Sequence, residues 1–173
     1  MNVVKIFEEL IKDLEGVEFF VGGSRRFGYN RDQSDHDFFI YLPKVITSDP
    51  KNVISYIESG LSNSINYFLS LLNIDPIGVT RGKIKNGKNN NSGYIEGAVH
   101  VKTTIFGNII DLTFFEAKEE YLFYKKDHEK VDEFLKTNPE IIEVYKKLQL
   151  SGILKYRAIL EVIKAREGRN ENQ

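Results

Sequence analysis

Apolar residues recur along this chain with two periods, and each period predicts an element. Val3, Phe7, Leu10, Ile11 and Leu14 fall at helical spacing and Gly16 follows them, so the first segment reads as an amphipathic helix with a glycine stop. Residues 17–21 form a short apolar run ending in Gly22-Gly23-Ser24, the pattern of a strand that delivers a tight turn. Residues 35–42 give a second strand, where Phe38, Ile40 and Leu42 alternate with Asp37, Phe39 and Tyr41. After a connector at 43–50, apolar positions 54, 57, 61, 65, 68 and 72 mark a second amphipathic helix over residues 53–72. Residues 82–93 are Lys, Asn and Gly with almost nothing apolar, and read as a loop. Residues 98–106 and 109–115 read as two strands of a hairpin turning at Gly107-Asn108.

From residue 117 the pattern is helical. Pro139 is expected to open a long helix carrying Ile142, Tyr145, Leu148, Ile159 and Ile163, with Gly152 as a point of division, and the polar residues 167–173 to fray. The order helix, strand, strand, helix, hairpin, helices predicts an α/β (α+β) fold: a mixed β-sheet flanked by helices over residues 1–116, with a helical C-terminal extension over 117–173 packed on it.

Composition narrows the chemistry. With 173 residues, 41% hydrophobic and 28% charged, the chain can bury a core without staples. It has no cysteine, which excludes disulfides, thiolate metal sites and a cysteine nucleophile. A formal net charge of −1 implies no strong nonspecific grip on a nucleic-acid backbone. Lys5, Glu8, Glu9, Lys12 and Asp13 interrupt the first segment, so no signal-type apolar region is read there. No stretch has the length to span a bilayer, and a cytoplasmic location with no membrane partner is the expectation.

Three carboxylates stand out because each opens or interrupts an apolar strand. Asp35 and Asp37 are two apart, so an extended chain points both to one face with roughly 6 to 7 Å of rise between them. Asp111 lies between Ile110 and Leu112 on the later hairpin arm, a position where Asp is depleted. Crowded on one face, such groups repel unless a cation joins them, and all-oxygen ligands favour Mg²⁺ or Mn²⁺. Alone, Asp35 is an ordinary turn residue and Gly22-Gly23-Ser24 an ordinary turn. Together they describe more: glycines let the backbone approach a polyanion, and the Ser24 hydroxyl with free N–H groups can cradle phosphate oxygens.

Phe20-Val21-Gly22-Gly23-Ser24, then Arg25-Arg26-Phe27-Gly28, then Ser34-Asp35-His36-Asp37-Phe38, with Ile109-Ile110-Asp111-Leu112 on a later strand, resembles the signature of the DNA polymerase beta-like nucleotidyltransferase superfamily, in its minimal form. The resemblance implies that residues 1–116 are a catalytic domain. It implies that Asp35 and Asp37 bind the catalytic Mg²⁺ or Mn²⁺ ions, and that Asp111 helps bind one and orients or deprotonates the acceptor. Gly22, Gly23 and Ser24 would hold the phosphates of a nucleoside triphosphate donor, with Arg26 beside them and with Lys155 and Arg157 reaching back from the C-terminal helix. The acceptor (an RNA end, a protein or a small molecule) is left open, and minimal members of the family suggest a helical protein partner or a homo-oligomer. His36 stands where the family usually has an aliphatic residue.

Two rival readings use the same residues: a catalytically inactive nucleotide-binding regulator or antitoxin-like partner, and a metal-dependent nuclease or phosphatase. The turn ahead of the paired aspartates favours a triphosphate donor over the second. Residues 82–88 match the spacing of a phosphate-binding Walker loop, but Asn89 replaces its Ser or Thr and an Asn run replaces its helix, so that reading is rejected. His100 and His128 carry no assigned role.

Overall fold

The computed structural model describes residues 2–42, 63–81, 98–115 and 117–170. The expected connector at 43–50, the first half of the helix expected over 53–72, the loop at 82–93 and the last three residues lie outside them.

Helix α1, Val3–Ile11, is capped by Asn2, whose Oδ1 accepts from the Val4 N–H at 3.0 Å. It buries Val3, Phe7 and Ile11, the i, i+4, i+8 stripe. It stops one turn before Leu14, and Gly16, at φ +75°, turns the chain into the sheet. The strands are β1 (Glu18–Gly22), β2 (His36–Tyr41), β3 (Pro76–Arg81), β4 (Val99–Ile105) and β5 (Asn108–Phe115). They form one mixed sheet in the order β1-β2-β5-β4-β3, with β2 and β5 parallel and the other neighbours antiparallel. Strand β3 is absent from the pattern read in the sequence. Pro76 and Gly78 are poor strand formers, tolerated here because β3 is the edge strand beside β4.

The hairpin between β4 and β5 turns one residue earlier than its composition suggests. Ile105 pairs with Asn108, so the two turn residues are Phe106 and Gly107, at φ +48° and +77°. Both angles are positive, the requirement of a primed two-residue turn. Asn108 serves the turn from the strand instead, donating from Nδ2 to the Phe106 carbonyl at 3.1 Å.

Each sheet face has its own cover. On one face Phe38, Ile40, Val101, Leu112 and Phe114 pack under α1 and α3 (Asn63–Leu71), the described part of the second expected helix. On the other, Phe20, Phe39 and Phe115 meet Tyr121 of α4 (Lys118–Thr137). A third cluster ties Phe27 and Tyr29, from the chain after the short helix α2 (Gly23–Arg26), to α4 and α6 (Gly152–Asn170). Helix α5 (Glu140–Lys147) packs Ile141 and Ile142 against it. The long helix expected from Pro139 is thus two helices, with Gly152 at the start of the second, and α6 stays helical through Asn170. No helix among the described residues is long and apolar enough to cross a membrane.

Candidate active site

Strand register places the acidic residues. Gly22 pairs with Asp37, Asp37 with Asp111, and Asp111 with Lys102, so one transverse row crosses β1, β2, β5 and β4. Two residues along, on the same face, runs the row Phe20, Phe39, Thr113, His100. Asp35 immediately precedes β2 and shares the face of Asp37. One carboxylate oxygen from each of Asp35, Asp37 and Asp111 lies within 4.8 Å of the others.

Local chemistry holds this arrangement. Gly23 is at φ +67°, and a Cβ there would overlap the Asp37 carboxylate; at Gly22 a Cβ would overlap the Phe39 ring. Both glycines are therefore required by close approach, and Gly23 by backbone angle as well. Arg25 fixes the approach to β2: its Nε and Nη2 donate to the Ser34 carbonyl at 2.9 and 2.6 Å, and Nε reaches the Asp35 carbonyl at 3.2 Å.

The charge in the row is unbalanced. Burial, followed by the Asp35 and Asp111 charges, pushes the Asp37 carboxyl up to about 8, against the opposing pull of Lys102 and Arg25. Asp111 Oδ1 is buried and accepts no hydrogen bond from the described residues. His100 Nδ1 is 3.7 Å from it, beyond hydrogen-bond reach, and 3.1 Å from the Thr113 hydroxyl. On the open side Lys102 Nζ sits 3.2 Å from Asp35 Oδ2.

Asp37, Asp111 and Lys102 of this row form the floor of a cleft of about 660 Å³ between the sheet and the helices. Gly23, Ser24 and the first residues of α6 line one side, where Gly152 abuts Ser24 closely enough that a Cβ on it would come within 3.3 Å of the Ser24 Cβ. Arg157 and Lys164 of α6 and Tyr124 and Asp127 of α4 line the cleft as well.

Of the residues singled out in the sequence, Asp35, Asp37, Asp111, Gly23 and Ser24 line this cleft together. Gly22, Arg26 and Lys155 do not. Gly22 packs beneath Phe39. Arg26, expected at the phosphates, turns away: Nε and Nη2 donate to Asp132 Oδ2 at 2.9 and 2.6 Å, and Nη1 donates to the Val21 carbonyl at 2.8 Å. Lys155 is buried with Nζ 5.5 Å from the Tyr29 ring centre. Two residues apart on a helix point to nearly opposite sides, so α6 presents Arg157 to the cleft and not Lys155.

Lys102, unremarked in the sequence, joins the cleft, as do His100 and His128, the two histidines to which the sequence assigned no role. Alternation put His100 and Lys102 on one face of β4; only the turn position, which sets the register, makes them neighbours of Thr113 and Asp111. His128 is buried among Phe20, Phe27, Phe39 and Tyr156, and burial pushes its imidazole down to about 4. Its Nδ1 lies 2.8 Å from the Tyr124 carbonyl, an acceptor that requires the proton on Nδ1.

No model of a known protein family matches this chain, and no curated protein matches it either.

Proposed function

We propose that this chain is a divalent-cation-dependent nucleotidyltransferase of the polymerase beta-like type, moving a nucleoside monophosphate from a nucleoside triphosphate to an acceptor hydroxyl. The observation that carries this reading is the transverse row: paired carboxylates on parallel neighbours β2 and β5, flanked by the Gly22-Gly23-Ser24 turn, at the floor of one cleft. The donor set fits Mg²⁺ or Mn²⁺. It consists of carboxylate oxygens within 4.8 Å of one another, one buried oxygen has no hydrogen-bond donor among the described residues, and burial together with its two carboxylate neighbours pushes one carboxyl towards its protonated form. Held by Asp35, Asp37 and Asp111, the cation would supply the charge neutralisation and Lewis acidity that phosphoryl transfer needs.

The protein's own groups do the positioning. The terminal phosphates lie against Gly23, Ser24 and the first turn of α6, whose leading N–H groups lack intrahelical acceptors. Arg157 of α6 adds positive charge to the cleft. Asp111 orients the acceptor hydroxyl and takes its proton on a carboxylate oxygen. A new P–O bond forms at the α-phosphorus as the bond to the β-phosphate bridging oxygen breaks, and pyrophosphate leaves. With reactants so held, proximity and preorganised charge carry the rate.

Incubation with each α-labelled nucleoside triphosphate and Mg²⁺ or Mn²⁺, following label into RNA, protein and small-molecule pools, tests the reading. Label transferred by wild type and not by Asp35→Ala/Asp37→Ala, with matching pyrophosphate release, supports it and names the acceptor class. Equal labelling by both proteins removes the carboxylates from the account. Cation-dependent nucleotide binding without transfer to any pool moves the reading to a nucleotide-binding regulator.

A further inference from the structure

Lys102 is placed to act on the same site, and we propose that it is a built-in cation surrogate that holds Asp35 until a divalent ion arrives and then passes to the triphosphate. This rests on the nucleotidyltransferase reading above. Three carboxylates that converge within 4.8 Å need compensating charge even in the absence of a metal ion. Lys102 supplies it: it stands opposite Asp111 in the β4–β5 register and its Nζ reaches Asp35 Oδ2 at 3.2 Å. A divalent ion that takes oxygens from both Asp35 and Asp37 would compete with the ammonium group for the charge of Asp35, whose Oδ2 the lysine already engages.

The pair is built to yield. The Lys102 and Asp35 side chains are 49% and 34% exposed, and an ion pair so wet is weak. Arg25, the other cation acting on Asp37, is committed to the Ser34 and Asp35 carbonyls. Once released, Lys102 remains on the cleft floor at the end of a flexible four-carbon stem, and its three N–H donors suit a phosphate oxygen. The lysine therefore lowers affinity for the bare cation and raises affinity for the cation with its triphosphate, which couples the two ligands.

Mn²⁺ binding to the full chain, read as loss of the free-ion electron paramagnetic resonance signal, tests the exchange. The set is wild type, Lys102→Gln, Lys164→Gln as a cleft cation away from Asp35, and Asp35→Asn/Asp37→Asn as the site control, each checked for folding by circular dichroism. Without nucleotide, Lys102→Gln should bind Mn²⁺ about two- to fivefold more tightly than wild type, and Lys164→Gln should match wild type. At saturating Mn²⁺, a non-hydrolysable triphosphate analogue should bind Lys102→Gln more weakly than wild type. Unchanged or weaker Mn²⁺ binding by Lys102→Gln overturns the exchange, as does an equal gain in Lys164→Gln, which would be a general charge effect. If the site control binds Mn²⁺ as wild type does, the nucleotidyltransferase reading itself fails and takes the exchange with it.

Discussion

Phe38, Ile40, Leu112 and Phe114 lie on one side of the sheet, and Asp37, Phe39, Asp111 and Thr113, their immediate chain neighbours, lie on the other. The first set is sealed under α1 and α3, with exposures of 0 to 1%. The second is sealed only at one end, where Phe39 and Phe115 meet α4; at the other end the same strands carry acids on the floor of an open cleft. One face is built for stability alone. The other surrenders some of it, since burial and then two neighbouring like charges push the Asp37 carboxyl up to about 8, and such local conflict is characteristic of a site with work to do.

The largest expected effect is on the sealed face. Phe38 is fully buried, with its ring centre 4.3 Å from that of Phe7, so Phe38→Ala should cost about 3 to 5 kcal/mol in urea unfolding. Near-wild-type stability would mean that the sheet does not draw its stability from this face.

A second effect concerns the aromatic seal on the site face. His128 is neutral in the fold down to about pH 4, whereas in the unfolded chain it takes its proton near 6.5. Its folded value is the lower one, so the unfolded state binds more protons and stability is lost as pH falls through that window. Between pH 7 and pH 4 wild type should lose about 3 kcal/mol relative to His128→Gln, a difference that cancels the carboxylates common to both proteins. Parallel pH curves would contradict the buried, neutral imidazole.

Arg26 gives the smallest effect. Its pair with Asp132 is mostly buried and its Nη1 also donates to the Val21 carbonyl, so Arg26→Gln should cost about 2 kcal/mol in stability and leave nucleotide affinity unchanged. A large loss of nucleotide affinity would return Arg26 to the cleft.

Much of this contrast was legible in the sequence. The alternation in residues 35–42 announced a strand with two different faces, and Asp111 among apolar neighbours announced a second. Helical periodicity gave α1, and glycine gave the break before α6. What escaped depended on contacts between distant segments. Pro76 and Gly78 hide β3, which exists because β4 offers it an edge. The turn at Phe106-Gly107 defied its composition by one residue, and with pairing centred on Gly107-Asn108 Asp111 would have faced Thr104 instead of Lys102. Arg26 and Arg157 look equivalent as basic residues beside a motif; Asp132, far along the chain on α4, draws Arg26 away from the cleft that Arg157 lines.

Adjacent residues of β2 supply the most direct test. Asp37 has a folded value raised above that of the unfolded chain, so its contribution is complete below about pH 4 and is lost as pH rises through about 8. Thermal melting of wild type and Asp37→Asn at pH 8.5, in chelator and in Mn²⁺, reads this conflict and its relief together. In chelator Asp37→Asn should melt above wild type, the reverse of Phe38→Ala next to it; Mn²⁺ should raise the wild-type midpoint and leave the variant's in place. A variant that melts below wild type in chelator, or that gains as much from Mn²⁺, would contradict the claim that these carboxylates are held together for a cation.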